Sequence, residues 1–376
     1  MVKFTRRKTS LFFMKILKFK KTYQLPFKHH IPNFIKIHLL KTKLYMRVFK
    51  FLKRYIYIIL KGQVNLEIYK ILPEHKKILW INISAPSLGD SLMDLSSRTL
   101  LKDRNLDLFT DKKNANIYKD DNFFNNIFTE IKDLKKLNYD LIIIDSYSSR
   151  SIRIKSKVAQ KTIYVGIYGY FNGPEVNRVL YSFHQMNHLL GYSKNEHEIN
   201  HSAKSSIFIS KKDQEIVENI TPKKYITIAV GGEWCYKIYD KWDEVINKIM
   251  LSDADLNIIF VGSDNAIQIS KELLKKYPKK KILNFTSRLS FNQTAEVIRK
   301  SEVFLCCDGG LMHAASALNA KIVPLFARLT AEMLLTRKIQ SHTLFDERDV
   351  NNIQVNDVVS KYHEAVNHVY NHLPDE

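Results

Sequence analysis

The chain has 376 residues, 45% hydrophobic and 26% charged, with only 11 glycines and 9 prolines. That is a globular composition on the scale of two domains, and it excludes wholesale disorder and collagen-like or linker-rich architectures. Three cysteines (Cys235, Cys306, Cys307) with no CxxC pair exclude a disulfide framework and a cysteine zinc site, and fit a reducing, cytoplasmic compartment. The formal net charge of +21 is uneven: residues 1–75 hold 18 Lys and Arg against Glu67 and Glu74, leaving 41 against 36 in the rest. A near-neutral body therefore carries a strongly basic N-terminal arm, and any partner inferred from charge concerns the arm alone.

The arm comes first along the chain. Its apolar stretch Leu11–Met14 stops at Lys15, short of the roughly 7–15 residues of a signal-peptide core. The longest apolar run, Tyr55–Leu60, falls far below the ~20 residues that span a bilayer. From Ile35 to Leu60 the spacing predicts a helix with Leu39, Leu40, Leu44, Val48, Phe51, Leu52, Tyr55 and Ile59 on one stripe. Lys41, Lys43, Arg47, Lys50, Lys53 and Arg54 then fall mostly elsewhere. Such a helix suits an anionic membrane surface, at about 1 kcal/mol per basic residue near it. Simple packing of the stripe on the body is the alternative. No nucleic-acid-binding motif accompanies the arm, so nucleic acid is not an expected partner.

After Pro73 short apolar runs alternate with helical stretches. Strands are expected at Lys77–Ser84, Leu106–Thr110, Leu141–Asp145 and Thr162–Ile167, with a helix over Ser91–Leu101. A second set has strands at Tyr225–Val230, Leu256–Val261, Lys281–Asn284, Val303–Cys307 and Lys321–Phe326. Its helices are expected at Lys241–Leu251, Ala266–Tyr277, Asn292–Ser301 and Leu311–Leu318. The polar stretch Gly191–Ser206 is the expected linker. The domains are thus a basic extension (1–75), a first α/β domain (76–200) and a second (201–376). Two doubly wound parallel sheets facing each other would present strand C-termini on both sides of a common cleft, where such sheets bind ligands.

Four segments sit where that cleft would be lined. Ser87-Leu88-Gly89-Asp90 follows the first strand; Gly89 allows a tight turn, and Asp90 either caps the next helix or acts as a general base on a hydroxyl. Gly231 and Gly232 end the strand from Tyr225 and let a ligand approach the backbone, with Lys237 and Lys241 before a helix whose amides favour an anion. Gly262, with Asp264, forms a Gly/polar loop suited to a nucleoside. The last is Asp308-Gly309-Gly310-Leu311-Met312-His313-Ala314-Ala315-Ser316-Ala317-Leu318, where a buried strand meets a helix of small residues with amides at its start, a cradle for a diphosphate. Taken singly, each segment also reads as an ordinary βα turn, and His313 as a core histidine.

In this order the segments resemble glycosyltransferase family 9, the heptosyltransferases of lipopolysaccharide core assembly. That family pairs an S-L-G-D loop with a late D-(S/T)-G-x-x-H-x-A-A-A-L segment, here Ser87–Asp90 and Asp308–Leu318. The resemblance covers roughly residues 77–345 and leaves the arm unmatched. It implies a GT-B fold of two Rossmann-like domains, and an inverting, metal-independent transfer from ADP-heptose to a lipid A–core saccharide at the inner face of a bacterial inner membrane. No cofactor or metal ligand is implied. Asp90 would be the general base, Ser87, Leu88 and Gly89 would lie on the acceptor side, and Gly231, Gly232, Gly262 and Asp264 would line the nucleotide site. Asp308 through His313 would hold the donor's diphosphate and sugar, and Lys237 or Lys241 would neutralise the departing ADP. The chain departs from the pattern in three places. Gly309 replaces the family's Ser or Thr, Asp240 stands where the family lysine precedes the Trp, and Asp264 is only an approximate match to the ribose-binding acid.

Two further readings stay open. One keeps the fold with a different nucleotide sugar. The other is a non-catalytic membrane- or nucleic-acid-binding protein on a degenerate GT-B body. His184 and His188 have helical metal-ligand spacing but no evident third ligand, so a structural or acceptor-side role is expected. The run Tyr168–Gly173 suits either the floor of an acceptor-sugar site or a core turn. P-loop, GxSxG and GxGxxG fingerprints are absent, which disfavours an NTPase, a serine hydrolase or a dinucleotide enzyme.

Overall fold

The structure, a computed structural model, describes residues 18–19, 24–28, 44–83, 85, 87–134, 137–173, 175–277, 281–336 and 341–367. The chain divides into two compact units, Met1–Ala203 and Lys204–Glu376.

The first unit runs α1 (Leu44–Leu60), β1 (Lys77–Asn82), α2 (Leu88–Asp94), β2 (Asn105–Thr110), β3 (Asn126–Phe128), β4 (Leu141–Ser146), α3 (Ser149–Val158), β5 (Tyr164–Gly169), α4 (Arg178–Leu190) and α5 (Glu196–Ser202). Its sheet has the order β3-β2-β1-β4-β5, and every pair is parallel. Strands β1 and β4 are buried on both faces, which is why they read as continuous apolar runs rather than as alternation. The helix expected over Ser91–Leu101 instead starts at Leu88, with Ser87 as its cap, and passes at Leu95 into a 3-10 segment, Ser96–Leu101. Gly89 is consequently a buried residue of the first helical turn, not the pivot of a tight turn.

Helix α1 shows what becomes of the single apolar stripe expected on the arm. Phe51, Tyr55 and Ile58 are buried, and Ile58 joins the sheet core beside Leu79, Ile81 and Ile142. Tyr45, Phe49, Leu52, Ile56 and Ile59 lie on another face and are exposed. The helix is apolar on two sides, so one stripe packs while a second is left facing outward. The portion of the expected helix before Leu44 lies outside the described residues. Beyond α1, Glu67 bridges in parallel to Tyr164, and the Ile68 amide donates to the Tyr164 carbonyl at 2.8 Å, covering the open edge of β5. The expected linker carries α5, held by a reciprocal cap between Asn195 and Glu198, so its polarity belongs to helix ends.

The second unit runs α6 (Lys211–Ile220), β6 (Tyr225–Ala229), α7 (Trp242–Ser252), β7 (Asn257–Val261), α8 (Ile267–Lys276), β8 (Ile282–Asn284), α9 (Phe291–Lys300), β9 (Phe304–Cys307), α10 (Gly310–Ala317), β10 (Ile322–Ala327), β11 (Leu344–Asp346) and α11 (Val355–Asn367). The order is β11-β10-β9-β6-β7-β8, again wholly parallel. Counted within each unit, both sheets follow the doubly wound sequence 3-2-1-4-5, with a sixth strand in the second. The winding reverses between β1 and β4 in one unit and between β6 and β9 in the other. Ser87–Asp90 follows β1 at the first of these points, and the Gly231–Gly232 and Asp308–Gly310 segments follow β6 and β9 at the second.

Candidate active site

In the first unit, Ser87 and Asp90 lock the start of α2. The Ser87 hydroxyl accepts from the Asp90 amide at 3.2 Å and donates to Asp90 Oδ2 at 2.7 Å. Asp90 Oδ1 lies 3.2 Å from Nη1 of Arg178. The same guanidinium grips Asp94, one helical turn further on, through Nε at 2.8 Å and Nη2 at 2.6 Å. Tyr168 donates to Asp94 Oδ1 at 2.8 Å and places its ring near the Arg178 guanidinium. Asp94 is buried, whereas the Asp90 side chain keeps 20% of its surface accessible. One carboxylate is enclosed with the arginine, and the other keeps part of its surface accessible.

A buried network seats α2 beneath them. Asp145, at the end of β4, accepts from the Trp80 indole at 2.7 Å and from Asn82 at 2.6 Å; Ser91 of α2 donates to Asn82 Oδ1 at 2.7 Å. Burial, reinforced by the charge of Asp94, pushes the Asp145 carboxyl well above the usual carboxylate range. Asp94 and Arg178 escaped the sequence reading, whereas Tyr168 opens the run read there as an acceptor-site floor or a core turn. The i, i+4 spacing of Asp90 and Asp94 was a usable signal, but nothing local announces Arg178.

In the second unit, Lys237 and Asp308 form a largely buried ion pair that joins the loops after β6 and β9. Lys241, by contrast, donates to the Asn351 carbonyl at 2.6 Å. Of the two lysines, Lys237 is the one beside the Asp308 loop. Gly309 precedes α10 in extended backbone, and a Cβ there would meet nothing within 4 Å. Space for the hydroxyl side chain missing from this position therefore exists. Gly310 and Leu311 open α10, His313 on its first turn is buried, and Met312 is fully buried and presents no surface to a ligand.

The other glycines have an internal reason. A Cβ on Gly231 would lie 2.6 Å from Ala266 Cβ, and one on Gly262 would lie 2.7 Å from the same atom. At Gly232 it would meet the Lys237 carbonyl oxygen at 2.6 Å. They let the loops after β6 and β7 close on the start of α8. Asp264 is exposed, and its carboxylate accepts from Ser287. A further cation was missed: Arg328, just past β10 with a left-handed φ of 66°, lays its guanidinium 3.6 Å from the Tyr236 ring centre. As for His184, its Nε2 is 2.7 Å from Asn200 Oδ1 and its ring stacks on Phe27.

Two doubly wound parallel sheets in succession, each with polar groups gathered where the winding reverses, make a GT-B fold. The chain belongs to glycosyltransferase family 9 (heptosyltransferase), whose sequence model matches residues 168–362, more than half of the chain. A search of curated proteins finds no match. Among solved structures, the family 9 glycosyl transferase of Veillonella parvula superposes with a TM-score of 0.66 at 11% identity, covering 79% of this chain and 99% of its own. The E. coli ADP-heptose lps heptosyltransferase II gives 0.62 at 16% identity, covering 77% and 98%. E. coli heptosyltransferase WaaC with ADP gives 0.59 at 16% identity, covering 77% and 99%. At these identities the structures establish a shared fold.

Proposed function

We propose that the protein transfers a heptose from ADP-heptose to an inner-core saccharide of lipopolysaccharide or lipooligosaccharide, with inversion and without a metal. The observation that carries this is Asp90: a partly exposed carboxylate, held through both oxygens at the winding reversal of the first sheet, in a chain of this family. In this reading the acceptor hydroxyl gives its proton to Asp90 as its oxygen attacks the anomeric carbon. The bond from that carbon to the donor phosphate breaks, and ADP leaves with the electron pair. Lys237 and the first amides of α10 meet the charge that develops on the diphosphate. Asp308 holds Lys237 in place until the donor arrives.

The proposal places the enzyme on the inner face of a bacterial inner membrane. Support comes from the exposed stripe of α1, flanked by Arg47, Lys50, Lys53 and Lys61, within an arm whose excess of cations complements anionic lipid. Among the described residues no helix is long and apolar enough to cross a membrane. Because Ile58 is part of the core, substitutions Phe49→Ser and Ile56→Ser test this attachment better than deletion of residues 1–60. They should release the protein from vesicles containing anionic lipid, and wild-type retention would end the idea.

The decisive experiment for the reaction is mass spectrometry of lipooligosaccharide from a deletion strain, complemented by the wild-type protein. Loss of one heptose supports the reading, and an unchanged glycan sinks it. Loss of a hexose would favour a second reading, a different nucleotide sugar; the engagement of Asp264 with Ser287 and the absence of a hydroxyl at Gly309 speak for it.

A further inference from the structure

Arg328 follows β10 in a backbone conformation that does not suit an arginine. The Leu329 amide donates to the Ala327 carbonyl at 2.8 Å, and Arg328 between them has a φ of 66°, which makes a γ-turn of the rare left-handed kind. Glycine adopts that backbone without strain, so the turn gives no reason for this residue. Packing gives none either, because Arg328 is exposed.

The side chain is nevertheless held. Its Cζ lies 3.6 Å from the ring centre of Tyr236, which is half-buried and packs against the core of the second sheet. Its Nε donates to the Arg348 carbonyl at 3.3 Å. Among the described residues the guanidinium makes no ion pair, and its two Nη groups have no hydrogen-bond partner. A fixed arginine with a spare fork is suited to bidentate capture of an anion.

We propose that Arg328 is a second cation of the donor site and grips the diphosphate. The sheet order sets β9 between β6 and β10, so Lys237 and Arg328 come from the strands on either side of the Asp308 loop. They meet on one ring, since Lys237 Nζ is 5.8 Å from the Tyr236 centre. Asp308 already cancels the charge of Lys237, so that pair alone offers a diphosphate little net attraction. Arg328 supplies the missing positive charge, and its pull strengthens as the departing diphosphate gains an electron pair. The assignment rests on the nucleotide-sugar reading of the second unit, but not on which nucleoside or sugar is used.

Calorimetric titration of the full chain with ADP, UDP and inorganic pyrophosphate provides the test. ADP should bind, and Arg328→Gln should weaken it about tenfold. Arg328→Lys, which keeps the charge without the fork, should cost about threefold. Arg328→Gly should lose as much ADP affinity as Arg328→Gln, yet melt within about 2 °C of the wild type or above it, because glycine relieves the turn. An arginine with only a structural role would show the reverse, a lower melting temperature with ADP affinity kept. Tyr236→Leu should weaken ADP about threefold in the wild type and less than about twofold in Arg328→Gln. Full additivity there would overturn the part given to the ring. Wild-type ADP affinity in Arg328→Gln would overturn the proposal and leave the transfer reading standing. A preference for UDP with the same dependence on Arg328 would sustain the arginine and end the ADP-heptose reading. Binding of none of the three probes would overturn both.

Discussion

The two winding reversals occupy equivalent places in equivalent sheets yet are furnished differently. In the first unit the site is made of long charged side chains: Asp90, Asp94 and Arg178 interlock, and Tyr168 and Ser87 fix their rotamers. In the second it is made of backbone and small residues, with a single ion pair, Lys237 and Asp308, at the mouth of a helix. Under the proposed transfer, the difference matches what each task would demand. Moving one proton requires one carboxylate in one orientation, whereas receiving a diphosphate requires amides and a counter-charge with nothing in the way.

The contrast would break most visibly at Asp90. Asp90→Asn should lower the transfer rate by about 10^2–10^4-fold and leave ADP affinity unaltered, read by product mass spectrometry and calorimetry. A loss of ADP affinity instead would erase the division of labour. Next in size, Lys237→Met leaves buried Asp308 without its cation. Thermal unfolding should show a loss of about 3 kcal/mol, and ADP affinity should fall by roughly one to two orders of magnitude, or about 1.4–2.8 kcal/mol. Lys241→Met, which frees only the Asn351 carbonyl, should change ADP affinity less than about threefold, within about 0.7 kcal/mol.

The glycines sharpen the point further. Gly231→Ala should cost about 1–3 kcal/mol in urea unfolding through its clash with Ala266. A smaller effect belongs to the scaffold of the first unit, where burial pushes the Lys155 ammonium down to about 8. The unfolded chain keeps that proton well above pH 8 and the folded chain does not. Stability should therefore rise between pH 8 and about 9.5, by at most ~1.4 kcal/mol per unit, and the rise should vanish in Lys155→Met. Smallest of all, Gly309→Ser should shift stability by only a few tenths of a kcal/mol, since a side chain fits and can cap α10. It should leave ADP binding intact or improve it.

Much of this architecture was legible because buried parallel strands announce themselves. Runs such as Leu141–Asp145 and Tyr225–Val230 lie where β4 and β6 form, within a residue or so. Strands β3 and β11, three exposed or half-buried residues each, were not foreseen, whereas β8, equally short but opening on the buried Ile282, was. At the candidate sites, residues following a strand were readable from position, whereas partners brought in by packing were not. Arg178 reaches Asp94 across 84 positions and Arg328 reaches Tyr236 from another strand end. The arm misled for a related reason: the apolar pattern of α1 could not reveal that Phe51, Tyr55 and Ile58 would be buried while Leu44, Leu52 and Ile59 would stay exposed.

That neither sheet borrows a strand from the other half of the chain bears on how the protein is made. All five strands of the first sheet, and the α1 residues that complete its core, lie before Lys204. At ~5–20 residues per second, a ribosome needs about 10–35 s to add the remainder. The first sheet can close within that interval on its own, before the strands of the second exist to compete for pairing.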